Sequence, residues 1–331
     1  MRILITGGAG YIGSHAVKLF RAQGHDVWVY DNLACGHRQA VSGERLIVAD
    51  LADLPVLDNT VLMNRIEACV HFAAFTYVGE SVKDPGKYYR NNLVNTLNLM
   101  DCLHRHGVKR FVLSSTAAVY GVPEKVPITE DSRKQPINPY GDSKLMVERA
   151  LANYANAYGW AYAALRYFNA AGAAADGSIG EDHDPETHLI PLVIYAAMGK
   201  RPCIEVFGTD YDTPDGTCIR DYVHVDDLAE AHLLALENLK EGHGLHYNLG
   251  IGRGYSVREV IRTVEEVTGK PVTVKEGPRR AGDPPALVAS SDKIQQELGW
   301  RPRYTDLRSI VETAWNWHKS HPRGYSGGAG W

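Results

Sequence analysis

The sequence has no excess of positive charge and no long hydrophobic run. Its 331 residues carry 35 Lys and Arg against 39 Asp and Glu, which gives a net charge of −4. A basic surface for nucleic acid or for an anionic membrane is therefore not expected. The longest apolar stretches are only as long as a strand, which argues against a membrane span and against a signal peptide. The expected ligands are small molecules.

Cysteine is also scarce. The five cysteines, Cys35, Cys69, Cys102, Cys203 and Cys218, are far apart and form no CxxC pair. This spacing indicates reduced thiols, and not a disulfide framework or a zinc site. We therefore predict a cytoplasmic protein without a metal centre.

Short β-branched runs alternate with longer amphipathic stretches up to about residue 168. Runs that are apolar on both faces, separated by segments of helical periodicity, predict a parallel sheet covered by helices on both sides. The fold class is therefore α/β, with a doubly wound (Rossmann) domain followed by a smaller α/β domain that binds the substrate. The predicted boundaries are 1–168 for the first domain, 169–323 for the second and 324–331 for a flexible tail.

Two long amphipathic segments, about 85–105 and 139–158, are predicted to be helices. Their apolar stripes, which include Leu93 and Leu97, are typical of helices packed on a core. Paired across a two-fold axis, the same helices would form a four-helix interface, and a homodimer is expected.

A glycine-rich segment, TGGAGYIG at 6–13, lies between the first predicted strand and the first predicted helix. Its three spaced glycines permit a tight turn, a close approach of the backbone to a pyrophosphate and close packing of the helix on the sheet. The N–H groups at the start of that helix point toward the phosphates. The residues expected there are Gly7, Gly10, Tyr11, Ile12 and Gly13.

Acidic residues end the next two predicted strands. Asp31 lies 18 residues after Gly13, where a carboxylate accepts hydrogen bonds from the adenosine ribose. Its charge would repel a 2′-phosphate, so the expected cofactor is NAD and not NADP. Asp50 and Leu51 follow the third strand, where they either bracket the adenine or form a simple turn.

Tyr140 and Lys144 lie four residues apart, which on a helix places them on one face. A phenol titrates near pH 10 and is a weak base at neutral pH. The Lys144 ammonium and a nicotinamide cation would both favour the phenolate, and lowering its pKa by about three units requires roughly 4 kcal/mol. Ser114 and Thr116 close the fifth strand, where ligands bind in such sheets. Thr116 is expected to hydrogen-bond the reacting hydroxyl, and Ser114 either orients a ligand or forms a turn.

The motifs of the first half resemble those of the extended short-chain dehydrogenase/reductase family. They are TGGAGYIG, Asp31-Asn32-Leu33, His71-Phe72-Ala73-Ala74, Ser114-Ser115-Thr116, YxxxK at 140–144 and Arg166-Tyr167-Phe168-Asn169. The motifs of the second half resemble the UDP-glucose 4-epimerase branch of that family. They are Gly208-Thr209-Asp210-Tyr211, Asp215-Gly216-Thr217, Arg220-Asp221-Tyr222 and Arg279-Arg280-Ala281-Gly282-Asp283. The resemblance covers nearly the whole chain.

The resemblance implies that UDP-galactose and UDP-glucose are interconverted through a transient 4-keto sugar, with NAD bound throughout. It implies that Thr116, Tyr140 and Lys144 are catalytic. Besides the residues given above, the implied cofactor set contains Asn32, Phe72, Ala73, Ala74, Ser114, Tyr140, Lys144 and Tyr167. The implied set for the UDP-sugar contains Thr116, Tyr140, Asn169, Leu189, Phe207, Arg220, Arg280 and Asp283.

The chemistry of the residues implied for the UDP-sugar is suited to binding UDP. Two guanidinium groups can clamp a diphosphate, and a carboxylate can accept hydrogen bonds from the uridine ribose. Phe207 either lies beside the uracil or only packs in the core.

Other functions make different demands on the sequence. A 4,6-dehydratase needs an acid/base pair beside Thr116, and Ala117 and Ala118 follow it here. A net dehydrogenase would need exchangeable cofactor, and a non-catalytic NAD-sensing protein would lack the Tyr/Lys pair. The segments 75–80 and 321–325 also resemble UDP-pentose epimerases, so interconversion of UDP-arabinose and UDP-xylose is the main alternative.

Two positions depart from the pattern of the branch. Thr76 stands where some epimerases have a Lys near the cofactor. Leu287 stands where the branch varies a side chain near carbon 2 of the sugar, which leaves N-acetylated sugars open.

Overall fold

Seven parallel strands form the central sheet in the computed structural model, which describes residues 1–41, 43, 45–280 and 283–327. The strands of the chain are β1 (Arg2–Thr6), β2 (Asp26–Asp31), β3 (Leu46–Val48), β4 (Ala68–His71), β5 (Arg110–Ser114), β6 (Ala161–Tyr167), β7 (Asn169–Ala171), β8 (Ile204–Phe207), β9 (Ile219–His224), β10 (Gly244–Leu249), β11 (Gly254–Ser256), β12 (Val274–Gly277) and β13 (Ala286–Leu287). The order in the central sheet is β10-β6-β5-β4-β1-β2-β3, and every neighbouring pair is parallel.

Helices cover both faces of this sheet. They are α1 (Tyr11–Ala22), α2 (Leu54–Met63), α3 (Val78–Lys83), α4 (Pro85–Tyr88), α5 (Asn95–Arg105), α6 (Pro139–Tyr158), α7 (Leu189–Ala197), α8 (Val225–Glu237), α9 (Val257–Thr268), α10 (Asp292–Leu298) and α11 (Leu307–Ser320). One apolar cluster joins the sheet to α1 and α8, and a second joins it to α2, α5 and α6. The predicted doubly wound parallel sheet is therefore confirmed. Within the described ranges, no helix is both long and apolar enough to cross a membrane.

The second half of the chain builds a smaller α/β unit and also completes the first. A four-stranded sheet of β7, β9, β11 and β13 and the pair β8 and β12 belong to the smaller unit, with α7, α9 and α11 packed around its core. Strand β10 instead pairs with β6, and α8 packs against α1. Residues 225–249 lie within the predicted second domain in sequence, but they pack with the first.

Helix α6 has the bounds that the periodicity predicts, because signals at both ends define it. The side chain of Asn138 caps it by accepting a hydrogen bond from the N–H of Gly141 at 2.9 Å, and Pro139 occupies the first turn. Gly159, in the left-handed region with φ of 71°, ends it. The predicted 85–105 helix is instead divided by a π-helical turn at Tyr89–Val94 between α4 and α5.

The chain near its end packs against the loop that precedes α7. Tyr325 is 8% exposed, and its backbone N–H donates to Asp182 at 2.8 Å. Its hydroxyl accepts a hydrogen bond from the N–H of Gly180 at 3.1 Å. Tyr325 falls in the segment predicted to be a flexible tail, and this contact was not foreseen. Residues 328–331 of that segment lie outside the described residues.

Candidate active site

The predicted cofactor residues of the first half gather at the carboxyl ends of the parallel strands. Those after β1 are Gly7, Gly10, Tyr11, Ile12 and Gly13; those at or after β2 and β3 are Asp31, Asn32, Asp50 and Leu51; those after β4 are Phe72, Ala73 and Ala74; and those ending β5 and β6 are Ser114 and Tyr167. Ligands bind at this edge in open α/β sheets, at the point where the strand order reverses. Strands β1 and β4 flank that point here.

The glycine loop is packed so closely that side chains would not fit. A Cβ at Gly7 would lie 2.4 Å from the N atom of Ala73, and one at Gly13 would lie 2.1 Å from the carbonyl oxygen of Gly7. Gly10 is the N-cap residue of α1, and no side chain in the described structure caps the first turn of that helix. The first N–H groups of α1 are thus left for an anion, and the loop fits the pyrophosphate of NAD.

Asp31 is held on the loop side of β2. Its Oδ2 accepts a hydrogen bond from the N–H of Ala9 at 2.9 Å, and its Oδ1 accepts one from the N–H of Leu33 at 2.8 Å. Burial raises the pKa of Asp31, and these two backbone donors offset part of that rise. Each oxygen keeps a lone pair for a ribose hydroxyl. The side chain therefore fits the role predicted for it.

Asn32 and Asp50 form the next part of this edge. The Nδ2 of Asn32 donates to Oδ2 of Asp50 at 2.7 Å, while Oδ1 of Asp50 accepts from the N–H of Ala52 at 2.8 Å. The carboxylate thus serves a strand-end turn and also orients Asn32. Both interpretations of Asp50 given by the sequence are compatible with this geometry.

Tyr140 lies at the first turn of α6, where the helix meets the turn after β5. A Cβ at Gly141 would lie 2.6 Å from the carbonyl oxygen of Ala118, so the absence of a side chain there permits the contact. The close approach brings Tyr140 beside the turn that carries Thr116. Burial raises the pKa of Tyr140, and the Thr116 side chain opposes part of that rise. The net direction is a rise, because burial outweighs the surrounding side chains. The lowering predicted from Lys144 and the nicotinamide cation together stays a prediction.

Lys144 is buried one turn further along α6. Its Nζ donates to the carbonyl oxygen of Ser114 at 2.9 Å, and only 3% of the residue is exposed. Burial lowers the pKa of Lys144 to about 8, and the Glu148 carboxylate opposes that change. The Oγ of Ser114 lies 2.6 Å from the hydroxyl of Tyr167. The end of β5 is thus tied to both α6 and β6.

A buried network beneath these groups was not recognised from the sequence. Oε1 of Glu148 accepts from Oγ of Ser115 at 2.5 Å and from Nε of Arg166 at 3.0 Å, and its Oε2 accepts from Nη2 of Arg166 at 2.6 Å. Nη1 of Arg166 donates to the Tyr120 hydroxyl at 2.8 Å, and that hydroxyl donates to Asn248 at 2.7 Å. One signal was available, because Glu148 follows Lys144 by the same four residues that separate Lys144 from Tyr140.

The predicted UDP residues of the second half form two contacts with one another. Nη2 of Arg220 on β9 lies 3.5 Å from Oδ1 of Asp283, and Nη1 of Arg220 donates to the carbonyl oxygen of Pro284 at 3.0 Å. The guanidinium of the exposed Arg280 lies over the ring of Phe207, 4.1 Å from its centroid. Ala281 and Gly282, which complete this motif, lie outside the described residues.

Two further predicted residues, Asn169 and Leu189, begin β7 and α7. Nδ2 of Asn169 on β7 donates to the carbonyl oxygen of Asp221 at 3.0 Å. Leu189 is the first residue of α7 and is partly buried against the core of the smaller unit. Asn169 therefore links the end of β6 to the strand that carries Arg220.

Leu287 connects the UDP residues to the catalytic turn. It pairs with Arg220 in the register of β13 and β9, and it packs on the apolar cluster that contains Ala117 and Tyr120. The N–H of Ile128 donates to the carbonyl oxygen of Val288 at 2.8 Å and fixes the same junction. Leu287 therefore links Arg220 to the turn that follows Thr116.

Comparisons with known proteins agree with this geometry. The NAD dependent epimerase/dehydratase family matches residues 3–250. A UDP-glucose 4-epimerase of Halalkalibacterium halodurans is 52% identical over 327 residues, which cover 98% of both chains. The structure of a UDP-glucose 4-epimerase from Brucella ovis in complex with NAD is 51% identical, with a TM-score of 0.92 over 95% of this chain and 97% of that one. A Stenotrophomonas maltophila UDP-glucose-4-epimerase with bound NAD and formylated UDP-arabinopyranose is 38% identical, with a TM-score of 0.93 over 98% and 99%.

Proposed function

The chain belongs to the NAD dependent epimerase/dehydratase family, and we propose that it is an isomerase that interconverts UDP-galactose and UDP-glucose. The observation that carries the proposal is that Tyr140 lies beside the Thr116 turn, with Lys144 one turn away, at the strand edge that also carries the glycine loop. Relatives of about 50% identity over nearly their full length have this activity in their names.

The residues at the strand edge have separate roles in proton transfer. The hydroxyl of Thr116 orients the sugar hydroxyl, and Tyr140 takes its proton and later returns it. Lys144, held by the Ser114 carbonyl, stabilises the phenolate by its charge. The glycine loop and Asp31 would hold NAD, which would supply reversible hydride transfer at carbon 4 and so allow a transient 4-keto sugar.

Epimerisation requires tight binding of UDP and weak binding of the sugar, because the keto sugar must rotate between the two hydride transfers. Arg220 and Arg280 supply two guanidinium groups for the diphosphate, and the carboxylate of Asp283 can accept hydrogen bonds from the ribose. The ring of Phe207, already beneath Arg280, offers a face for the uracil. These charged groups would hold UDP and leave the sugar free to rotate.

The test uses protein purified without added nucleotide. We expect it to convert UDP-galactose to UDP-glucose with no NAD in the assay, and to release NAD on denaturation. UDP-N-acetylgalactosamine and UDP-arabinose are assayed beside it, because one relative was solved with a UDP-arabinopyranose derivative. Conversion of UDP-arabinose alone would favour a UDP-pentose epimerase. Protein that holds NAD but converts none of the three would contradict the proposal.

We also infer a homodimer in the cytoplasm. Val94 and Tyr158, at the ends of the α5 and α6 face, are 47% and 44% exposed, and Leu97 and Tyr154 on the same helices are only partly buried. Covering this face with a second copy would remove large apolar surface from water. In a cell extract cleared of membranes, epimerase activity should elute at about twice the chain mass of 36.5 kDa. Activity in the membrane pellet, or at the mass of one chain, would contradict it.

A further inference from the structure

Two histidines and two glutamates converge in the loop that leads into α7. They are Glu181, His183, Glu186 and His188, all within eight consecutive residues. We propose that these four side chains bind one divalent metal ion of the zinc type. The spacing of the cysteines predicted no metal centre, and this cluster contains no cysteine.

The distances between the donor atoms match those around a shared ion. Oε1 of Glu181 lies 2.6 Å from Nδ1 of His188 and 3.3 Å from Nδ1 of His183. Glu186 lies 3.6 Å from His183 and 3.4 Å from His188, measured from carboxylate oxygen to Nδ1. In a tetrahedron with bonds of about 2.1 Å, neighbouring ligands are separated by about 3.4 Å. Small movements of Glu181 and His188 would give that geometry.

The same atoms lie within ion-pair distance of one another but form no hydrogen bond of ordinary geometry. Oε1 of Glu181, Oε2 of Glu186 and Nδ1 of both histidines are buried and make no hydrogen bond with any described residue. Their contacts are short, but the directions are not those of hydrogen bonds. Side chains that share an ion approach one another in this way, because each lone pair points to the ion and not to its neighbour. Buried polar atoms without a partner are rare and costly.

A second group of possible metal ligands differs, because its carboxylate has hydrogen-bond donors from the protein. Asp58, Cys102 and His106 also place their donor atoms within 4.8 Å of one another. The Asp58 carboxylate, however, already accepts hydrogen bonds from Arg105 and His106, both at 3.0 Å. That cluster is satisfied by protein donors and needs no ion.

The donor set identifies the class of metal. Imidazole nitrogen and carboxylate oxygen in a four-ligand site suit zinc, and four protein ligands leave no open position for catalysis. Glu186 is oriented by two backbone N–H groups, of Thr187 at 2.7 Å and of His188 at 2.8 Å. Such outer contacts are typical of metal ligands. His188, with 42% of its side chain exposed, leaves access for the ion.

The position of the cluster gives the ion a structural role. The rings of Tyr11 and Tyr77 flank His183 edge-on, at 6.1 and 6.5 Å between centroids. Tyr11 begins α1 at the glycine loop, and Leu189 follows His188 directly. An ion here would fix the start of α7 relative to the cofactor loop. The ion would hold this loop in one conformation, whichever reaction the enzyme catalyses.

The experiment uses the NAD-bound protein, produced without a histidine tag. Metal content is measured by mass spectrometry before and after dialysis against a chelator, and zinc chloride alone is then added back. We expect about one zinc per chain, lost on chelation. At about 100 times its Kd, added zinc should raise the melting temperature by roughly 4 °C.

Two variants test the location. His183→Gln should bind zinc at least roughly 100-fold more weakly, since loss of a ligand exceeds the 10- to 100-fold effect of an outer-shell partner. His106→Gln, from the satisfied cluster, should bind it as the unmodified protein does. Wild-type protein that holds no zinc and is not stabilised by it would overturn the proposal. Equal zinc binding by His183→Gln would place the ion elsewhere and also overturn it.

Discussion

Replacing Tyr140 with Phe is expected to lower kcat on UDP-galactose by roughly 10³-fold, because a positioned proton donor and acceptor contributes about 10²- to 10⁴-fold. The substitution removes one oxygen and leaves the ring that fills the start of α6. NAD should therefore stay bound, and the KM should change little. The measurements are initial rates of UDP-glucose formation and the NAD released on denaturation.

The same helix offers a matched control. Tyr154 lies on α6 and its hydroxyl contacts Asp101 at the surface, far along the helix from the strand edge. Tyr154→Phe removes an equivalent oxygen, which contacts Asp101 of the same chain and no reacting group, and should keep kcat within about twofold even though Tyr154 lies on the proposed dimer face. Comparable losses in both variants would indicate damage to the helix. Near-normal turnover by Tyr140→Phe would exclude it as the group that moves the proton.

The parts of the fold that local chemistry determines could be predicted from the sequence. Strands such as β4 are buried on both faces, so their sequences are continuous apolar runs. The ends of α6 are set by Asn138, Pro139 and Gly159, each of which acts through its own backbone or side chain. The glycine loop is recognisable because its spacing is required by close packing of backbone atoms. These features depend on few residues that are close in sequence.

Contacts between distant segments could not be predicted in the same way. Nothing in residues 244–249 indicates that β10 joins the first sheet and not the second. The local composition around Tyr325 is rich in glycine, yet its ring packs on Trp317 and its hydroxyl meets Gly180. For Tyr140, the sequence indicates the nearby charge of Lys144 but not the extent of burial, which raises the pKa of the phenol. Such properties arise only when the chain is folded.

Glu148 is the residue of the catalytic region with the largest expected effect on stability. Its side chain is 4% exposed and forms two hydrogen bonds with Arg166, which is 1% exposed. Glu148→Gln would leave the buried guanidinium without its counter-charge, which costs about 3–5 kcal/mol of unfolding free energy. With an unfolding entropy of about 2.1 cal/mol/K per residue, the melting temperature should fall by about 4–7 °C.

A surface pair provides the control for charge removal. Glu312 is 48% exposed and pairs with Arg308 one turn away at 3.1 Å. Glu312→Gln should cost about 0.5 kcal/mol or less, because water screens the charges. Replacing both buried partners, by Glu148→Leu with Arg166→Met, should recover part of the loss, since no charge is then left unpaired. Equal melting temperatures for Glu148→Gln and Glu312→Gln would show that the buried pair does not hold this region together.

The Glu148 variant should also change the pH dependence of turnover. The carboxylate raises the pKa of Lys144, which burial lowers to about 8. Without that negative charge the pKa of Lys144 falls further, so the ammonium group is lost at a lower pH. If Lys144 supports the Tyr140 phenolate by its charge, the alkaline limb of kcat against pH should move to lower pH in Glu148→Gln. An unmoved limb, in protein that still binds NAD, would separate the structural role of Glu148 from the catalytic role proposed for Lys144.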